Sequence, residues 1–156
     1  MALMELDDLK TYFYTEDGVV KAVDGVSFSI DKQQTLGVVG ESGCGKSVTA
    51  LSIMGLVPMP PGRIEGGAIH YHRNGEALDL TKLDPKGKKY RSIRGNEIAM
   101  IFQEPMTSLN PVFTIGNQIM EAITLHQDVG KKEAKSIAIQ MLEEVALHKE
   151  RIRKLS

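Results

Sequence analysis

The octet Gly40-Glu41-Ser42-Gly43-Cys44-Gly45-Lys46-Ser47 constrains this chain more than any other stretch. It has the G-x-x-x-x-G-K-[S/T] spacing, in which a glycine-rich turn joins a strand to a helix and wraps its backbone around a polyphosphate. Gly40, Gly43 and Gly45 carry no Cβ, so they admit positive φ and let phosphate oxygens approach the main chain. A helix beginning near Gly45 points its unsatisfied N–H groups and the positive end of its dipole at the same anion. Lys46 adds a mobile cation for the β- and γ-phosphates, and the Ser47 hydroxyl is a ligand for Mg2+. The flanks agree with this reading. Residues 35–39 form a short apolar run suited to a buried parallel strand, and Val48 to Met54 continue as a helix with Gly55 near its end.

Composition narrows the remaining choices. The 156 residues are 42% hydrophobic and 25% charged, which fits one soluble globular domain or part of a larger one. A net charge of −1 gives no electrostatic reason to expect a nucleic-acid partner. No apolar stretch approaches the roughly 20 residues that span a bilayer. The acidic start Met1-Ala2-Leu3-Met4-Glu5-Leu6-Asp7-Asp8 does not read as a signal peptide. The single cysteine, Cys44, excludes an internal disulfide and suits a reducing compartment; within a tight loop it reads as a small side chain rather than a redox group.

Along the chain, Asp8 to Tyr14 and Val19 to Ile30 are rich in β-branched and aromatic residues, with Glu16-Asp17-Gly18 as the turn between two strands. The proline run from Val57 to Gly62 breaks the chain. A second hairpin is expected from Gly66-Gly67-Ala68-Ile69-His70-Tyr71 and Ala77-Leu78-Asp79-Leu80, turning at Arg73-Asn74-Gly75. The basic cluster from Lys82 to Arg94 reads as an exposed loop and short helix. Ile98 to Phe102 is another buried-strand candidate, and it runs into Gln103. Thr114 is placed to cap a helix from Ile115 to Gln127. Ala134, Ile137, Ala138, Met141, Leu142 and Val145 recur at helical spacing, as a core-facing stripe would.

Gln103 ends a predicted strand that follows a phosphate-loop unit. In a parallel sheet such strand ends face the nucleotide, so its amide is a candidate for Mg2+ or for the attacking water. Here the sequence resembles the nucleotide-binding subunits of ATP-binding-cassette (ABC) transporters, and within them the oligopeptide/dipeptide importer branch. The resemblance is carried by Ala22-Val23-Asp24-Gly25-Val26-Ser27-Phe28, by Gly37 to Ser47, and most specifically by the run from Ile98 to Pro111. It implies an α/β fold of the P-loop NTPase class. The β subdomain would cover about 1–33 and 63–96, the Walker A core about 34–57 and 97–103, and the start of a helical subdomain 104–156.

The resemblance also implies roles. Gly40 to Ser47 would be the Walker A loop, with Gly40, Glu41, Ser42, Gly43, Cys44, Gly45, Lys46 and Ser47 around the phosphates of ATP. Lys46 and Gln103 would be the catalytic positions, and Ser47 with Gln103 the Mg2+ ligands. An aromatic residue upstream would stack on adenine; Phe13 matches that place best, with Tyr12 and Tyr14 as alternatives. Family members often carry a second hydroxyl after the Walker A serine, where this chain has Val48, so only a backbone N–H contact to the α-phosphate remains there. The implied partners are transmembrane permease subunits and a second nucleotide-binding subunit, at the cytoplasmic face of the membrane. Family members continue with an L-S-G-G-Q signature, a Walker B Asp-Glu and a switch histidine, none of which occurs within these 156 residues. The expectation is therefore an N-terminal portion that binds ATP but does not hydrolyse it alone. Two other readings compete: a P-loop kinase, and a non-catalytic fragment that docks on a membrane partner.

Overall fold

A computed structural model describes residues 2–73, 75–102 and 109–145. The chain divides into two compact units, residues 1–100 and 101–156. In the first, four strands form one antiparallel sheet: β1 (Ala2–Thr15), β2 (Gly18–Asp31), β3 (Gly62–Arg73) and β4 (Glu76–Asp79), in spatial order β2-β1-β3-β4. The expected hairpins are present, and β1 lies between two partners because both β2 and β3 return antiparallel to it. Helix α1 (Lys46–Ile53) follows β2, and α2 (Lys88–Ile93) follows β4 after a single 3-10 turn at Leu80–Lys82.

Period-two alternation buries Met4 and Leu6 of β1, and an irregularity at Asp7-Asp8, where Asp8 has φ 47°, shifts the phase so that Leu9 is buried with them and with Ile69 and Tyr71 of β3. Leu80, Tyr90 and Ile93 close the core, with Val48 and Ile53 of α1 packed against it. Leu9 and Ile69 are fully buried; truncating either to alanine costs about 2–5 kcal/mol. The predicted short helix in the basic segment is α2. Its cations remain outside while Tyr90 and Ile93 face in.

The second unit contains α3 (Ile115–His126) and α4 (Lys131–Glu144). The Thr114 hydroxyl accepts from the Asn117 N–H at 3.2 Å, which is the predicted cap. Ile123 packs with Ala134 and Ala138, whose small side chains let the two helices approach closely. The stripe predicted on α4 is buried only in its first half, since Met141 and Val145 are exposed.

Two expectations need correction. Residues 35–39 and 98–102 are not strands. Val39 is 92% and Ile101 94% exposed, and Ile98 makes only an isolated bridge to Arg94. A parallel strand takes its hydrogen bonds from neighbouring strands. Among the described residues neither segment has such a neighbour, so apolar sequence alone does not make it a strand.

Candidate functional site

After β2 the chain reverses at Lys32-Gln33, with Gln33 at φ 62° and the Gln34 N–H donating to Asp31 O. It then runs without ladder bonds to the glycine loop, and α1 starts at Lys46. Gly45 is the N-cap at φ 93°, and no side chain caps the helix. The first bond of the helix runs from the Thr49 N–H to Gly45 O, at 2.9 Å. Helix geometry therefore leaves the N–H groups of Lys46, Ser47 and Val48 without an acceptor within the helix. This is the arrangement that receives an anion.

Gly45 is demanded by more than its dihedral angle. Thr11 pairs with Val23 while Tyr12 pairs with Lys21, so Ala22 is an extra residue in β2. Its carbonyl oxygen lies 2.1 Å from where a Gly45 Cβ would stand. The loop thus rests directly on a β-bulge of the sheet. Gly43 also has positive φ, 81°, but has open space around it. Gly40 faces the Cys44 sulfur, 2.6 Å from its own would-be Cβ.

The Lys46 ammonium donates to Gly40 O at 2.6 Å and to Glu41 O at 2.7 Å, and lies 3.5 Å from Cys44 Sγ. The loop is closed on its own cation, which is held over the curve of the backbone. Glu41, Ser42, Gly43, Cys44 and Ser47 are exposed. Val48 is partly buried against the sheet core, which accounts for an apolar side chain at a helix start that otherwise presents polar groups. Among the described residues no group of three or more His, Cys, Asp or Glu is placed to hold a metal. Ser47 is thus the described ligand candidate, and a divalent ion would take its remaining ligands from phosphate or water.

The aromatic trio separates by face. Tyr12 donates its phenol proton to Asp24, and Tyr14 to Glu65 at 2.7 Å. Each carboxylate bond raises the pKa of its phenol above the usual tyrosine value. Phe13 lies on the opposite face of β1, the face of buried Thr11, with its ring 3.0 Å from a would-be Cβ of Gly62. The two tyrosines are committed to polar partners and Phe13 is not. Gln103 and Glu104 lie outside the described residues.

Three contacts that shape the site were absent from the sequence reading: the Ala22 carbonyl under Gly45, the Thr11–Ser52 hydroxyl pair, and the Tyr90 hydroxyl on Ile53 O at the far end of α1. Each joins residues more than twenty positions apart, and no local pattern announces them.

A glycine loop on a β-bulge, closed by a lysine at the start of a helix, defines a P-loop architecture. A family profile for ABC transporters matches residues 23–156, and the chain belongs to that family. It is 51% identical over 143 residues to the oligopeptide transport ATP-binding protein AppD of Bacillus subtilis strain 168, covering 92% of this chain and 42% of that protein. It is 44% identical over 147 residues to the dipeptide transport ATP-binding protein DppD of Escherichia coli K12, covering 94% and 43%. The chain spans about two fifths of the length of these curated relatives. Among solved structures it is similar to a bacterial ABC transporter cassette determined as a dimer, with a TM-score of 0.76 at 18% identity over 94% of this chain and 59% of that one. That likeness establishes the fold: an ABC cassette portion with an antiparallel sheet and helices.

Proposed function

We propose that this chain is the nucleotide-holding part of an ABC importer subunit for di- or oligopeptides, in which ATP binding and hydrolysis by the whole subunit power uptake. The observation that carries the reading is the glycine cradle at Gly40–Ser47, with Lys46 held over it and three helix N–H groups directed to the same place. The arrangement suits an anion. A Cβ at Gly45 would collide with the sheet, and a cation already bridges the loop carbonyls where phosphate oxygens would lie.

In this reading Lys46 exchanges the carbonyls of Gly40 and Glu41 for phosphate oxygens, trading neutral acceptors for charged ones. The backbone from Glu41 to Val48 donates to the phosphates, the Ser47 hydroxyl meets Mg2+, and Phe13 stacks on the base. Bound Mg2+ would supply charge neutralisation for the phosphates. Gln103, outside the described residues, would add the metal and water contacts that the family implies. The curated relatives are named for oligopeptide and dipeptide transport, which supports the peptide class of cargo. The same family supports permease subunits and a second ATP-binding subunit as partners, and a peripheral position on the cytoplasmic face of the membrane. No helix among the described residues is long and apolar enough to cross a membrane.

Calorimetry with Mg-ATP tests the reading. Wild type binds, and Lys46→Ala loses roughly 1.5–3 kcal/mol, the range for a hydrogen bond to a charged group. Equal affinity in the two proteins overturns it.

A further inference from the structure

We propose that the buried hydroxyl pair Thr11–Ser52 is a positioning device for nucleotide, setting the distance between the phosphate loop and the strand that presents Phe13. The inference rests on the nucleotide reading above and adds two residues to it. Thr11 is fully buried and Ser52 almost so, with their oxygens 2.9 Å apart. Ser52 also donates to Val48 O at 2.8 Å. A hydroxyl has one proton to give, so Ser52 accepts from Thr11. The order is Thr11 to Ser52 to the Val48 carbonyl, and Val48 belongs to the first turn of α1, beside the loop.

Stability alone does not account for such a pair. Two apolar side chains of the same shape would pack in this place at little or no cost, whereas a buried hydroxyl is tolerated only with its partner in place. What the pair adds is a single register of helix on sheet. Thr11 and Val23 form one rung of the β1–β2 ladder; α1 is bonded to it at Thr11, and Gly45, the residue that caps α1, lies beside it at Val23. Val23 lies 3.7 Å from the would-be Cβ of Gly45, at the start of the helix, and Thr11 holds Ser52 further along it. The bond at Thr11 and the close approach at Gly45 together keep the helix from sliding along the strand. Phe13 stands two residues beyond Thr11 on the same face of β1, about 7 Å along the strand. The separation of base and triphosphate sites is therefore set at this rung. A ligand that engages both sites depends on the pair, and a ligand that engages only the loop does not.

The test compares Mg-ATP with inorganic triphosphate by calorimetry in the full chain, for Ser52→Ala, Thr11→Val and Thr11→Ser. Without the bond, binding itself must select the correct register, so the loss is bounded by the worth of one hydrogen bond. Ser52→Ala and Thr11→Val each weaken ATP roughly three- to tenfold and leave triphosphate unchanged. Thr11→Ser keeps the hydroxyl and the wild-type affinity. The double variant Thr11→Val/Ser52→Ala is no weaker than the weaker single, because one bond is lost only once. The double variant leaves no hydroxyl unpaired and places alanine, which helices favour, at position 52, so it decides the matter should either single variant fail to fold. Equal loss for both ligands, or unchanged ATP affinity in Ser52→Ala, overturns the proposal while leaving the nucleotide reading intact. A wild-type chain that binds neither ligand overturns both.

Discussion

Adding one methyl group at Gly45 isolates the demand that the sheet places on the phosphate loop. In Gly45→Ala the new Cβ meets the Ala22 carbonyl oxygen at 2.1 Å, and the backbone sits at φ 93°. An L-residue in the left-handed region costs roughly 1–2 kcal/mol. Gly43→Ala carries the same dihedral penalty at φ 81° but meets nothing within 4 Å. The difference between the two variants is therefore the collision. Relieving it needs about 1 Å of movement, and the obstacle is backbone oxygen in a paired strand, which does not yield as a side chain would. The loop lifts instead, and a lift of that size breaks at least one charge-assisted N–H contact to phosphate, worth about 1.5–3 kcal/mol. Gly45→Ala should bind Mg-ATP about ten- to a hundredfold more weakly than Gly43→Ala, and inorganic triphosphate by the same factor, because the damage is confined to the loop. Calorimetry reads the affinities, and urea denaturation reads the shared dihedral cost. If Gly43→Ala and Gly45→Ala have the same affinity, the bulge does not support the loop and the reasoning fails.

Phe13→Ala should lower affinity for ATP far more than for inorganic triphosphate, and ATP and GTP should differ only modestly in wild type, since stacking tolerates any base; equal loss for both ligands would assign the ring to packing. Tyr90 is buried with its hydroxyl donating to Ile53 O, and burial pushes its pKa up to about 12. A raised folded-state pKa means that its contribution is complete below the unfolded value near 10 and is lost as pH rises from there through about 12. Urea denaturation at pH 8 and pH 11 should show wild type losing more stability than Tyr90→Phe across that interval, with the variant about 1 kcal/mol less stable at pH 8. Phosphate release from the 156-residue chain should not exceed background, with Lys46→Ala as the control for contaminating ATPases. Asp79 is already engaged by Thr81 and Lys82, and Asp84 receives the Lys86 N–H. Activity that vanishes in Lys46→Ala would contradict this, and Glu104→Gln would then show whether Glu104 acts.

The phosphate loop, the two hairpins, the Thr114 cap and the family were all legible in the amino-acid order, because each depends on residues that are neighbours along the chain. Glycine spacing, a lysine at a helix start, period-two alternation and a threonine before a helix are local instructions. The tertiary structure decided what local pattern does not encode. Thr35 to Val39 and Ile98 to Phe102 carry strand-like composition, yet a strand is completed by a neighbouring strand, and among the described residues neither has one; Ile98 makes only local bonds to Ile93 and Gly95. Sequence favoured Phe13 but left Tyr12 and Tyr14 open; in the fold Asp24 and Glu65 engage the two phenols, and the Phe13 ring lies on the other face. Gly45 was legible as a flexible residue, but the reason it admits no Cβ is the carbonyl of Ala22 on another strand. Sequence specified which groups are candidates to meet a phosphate; folding specified how loop, helix and sheet are joined, because contacts such as Thr11 with Ser52 exist only once sheet and helix are packed.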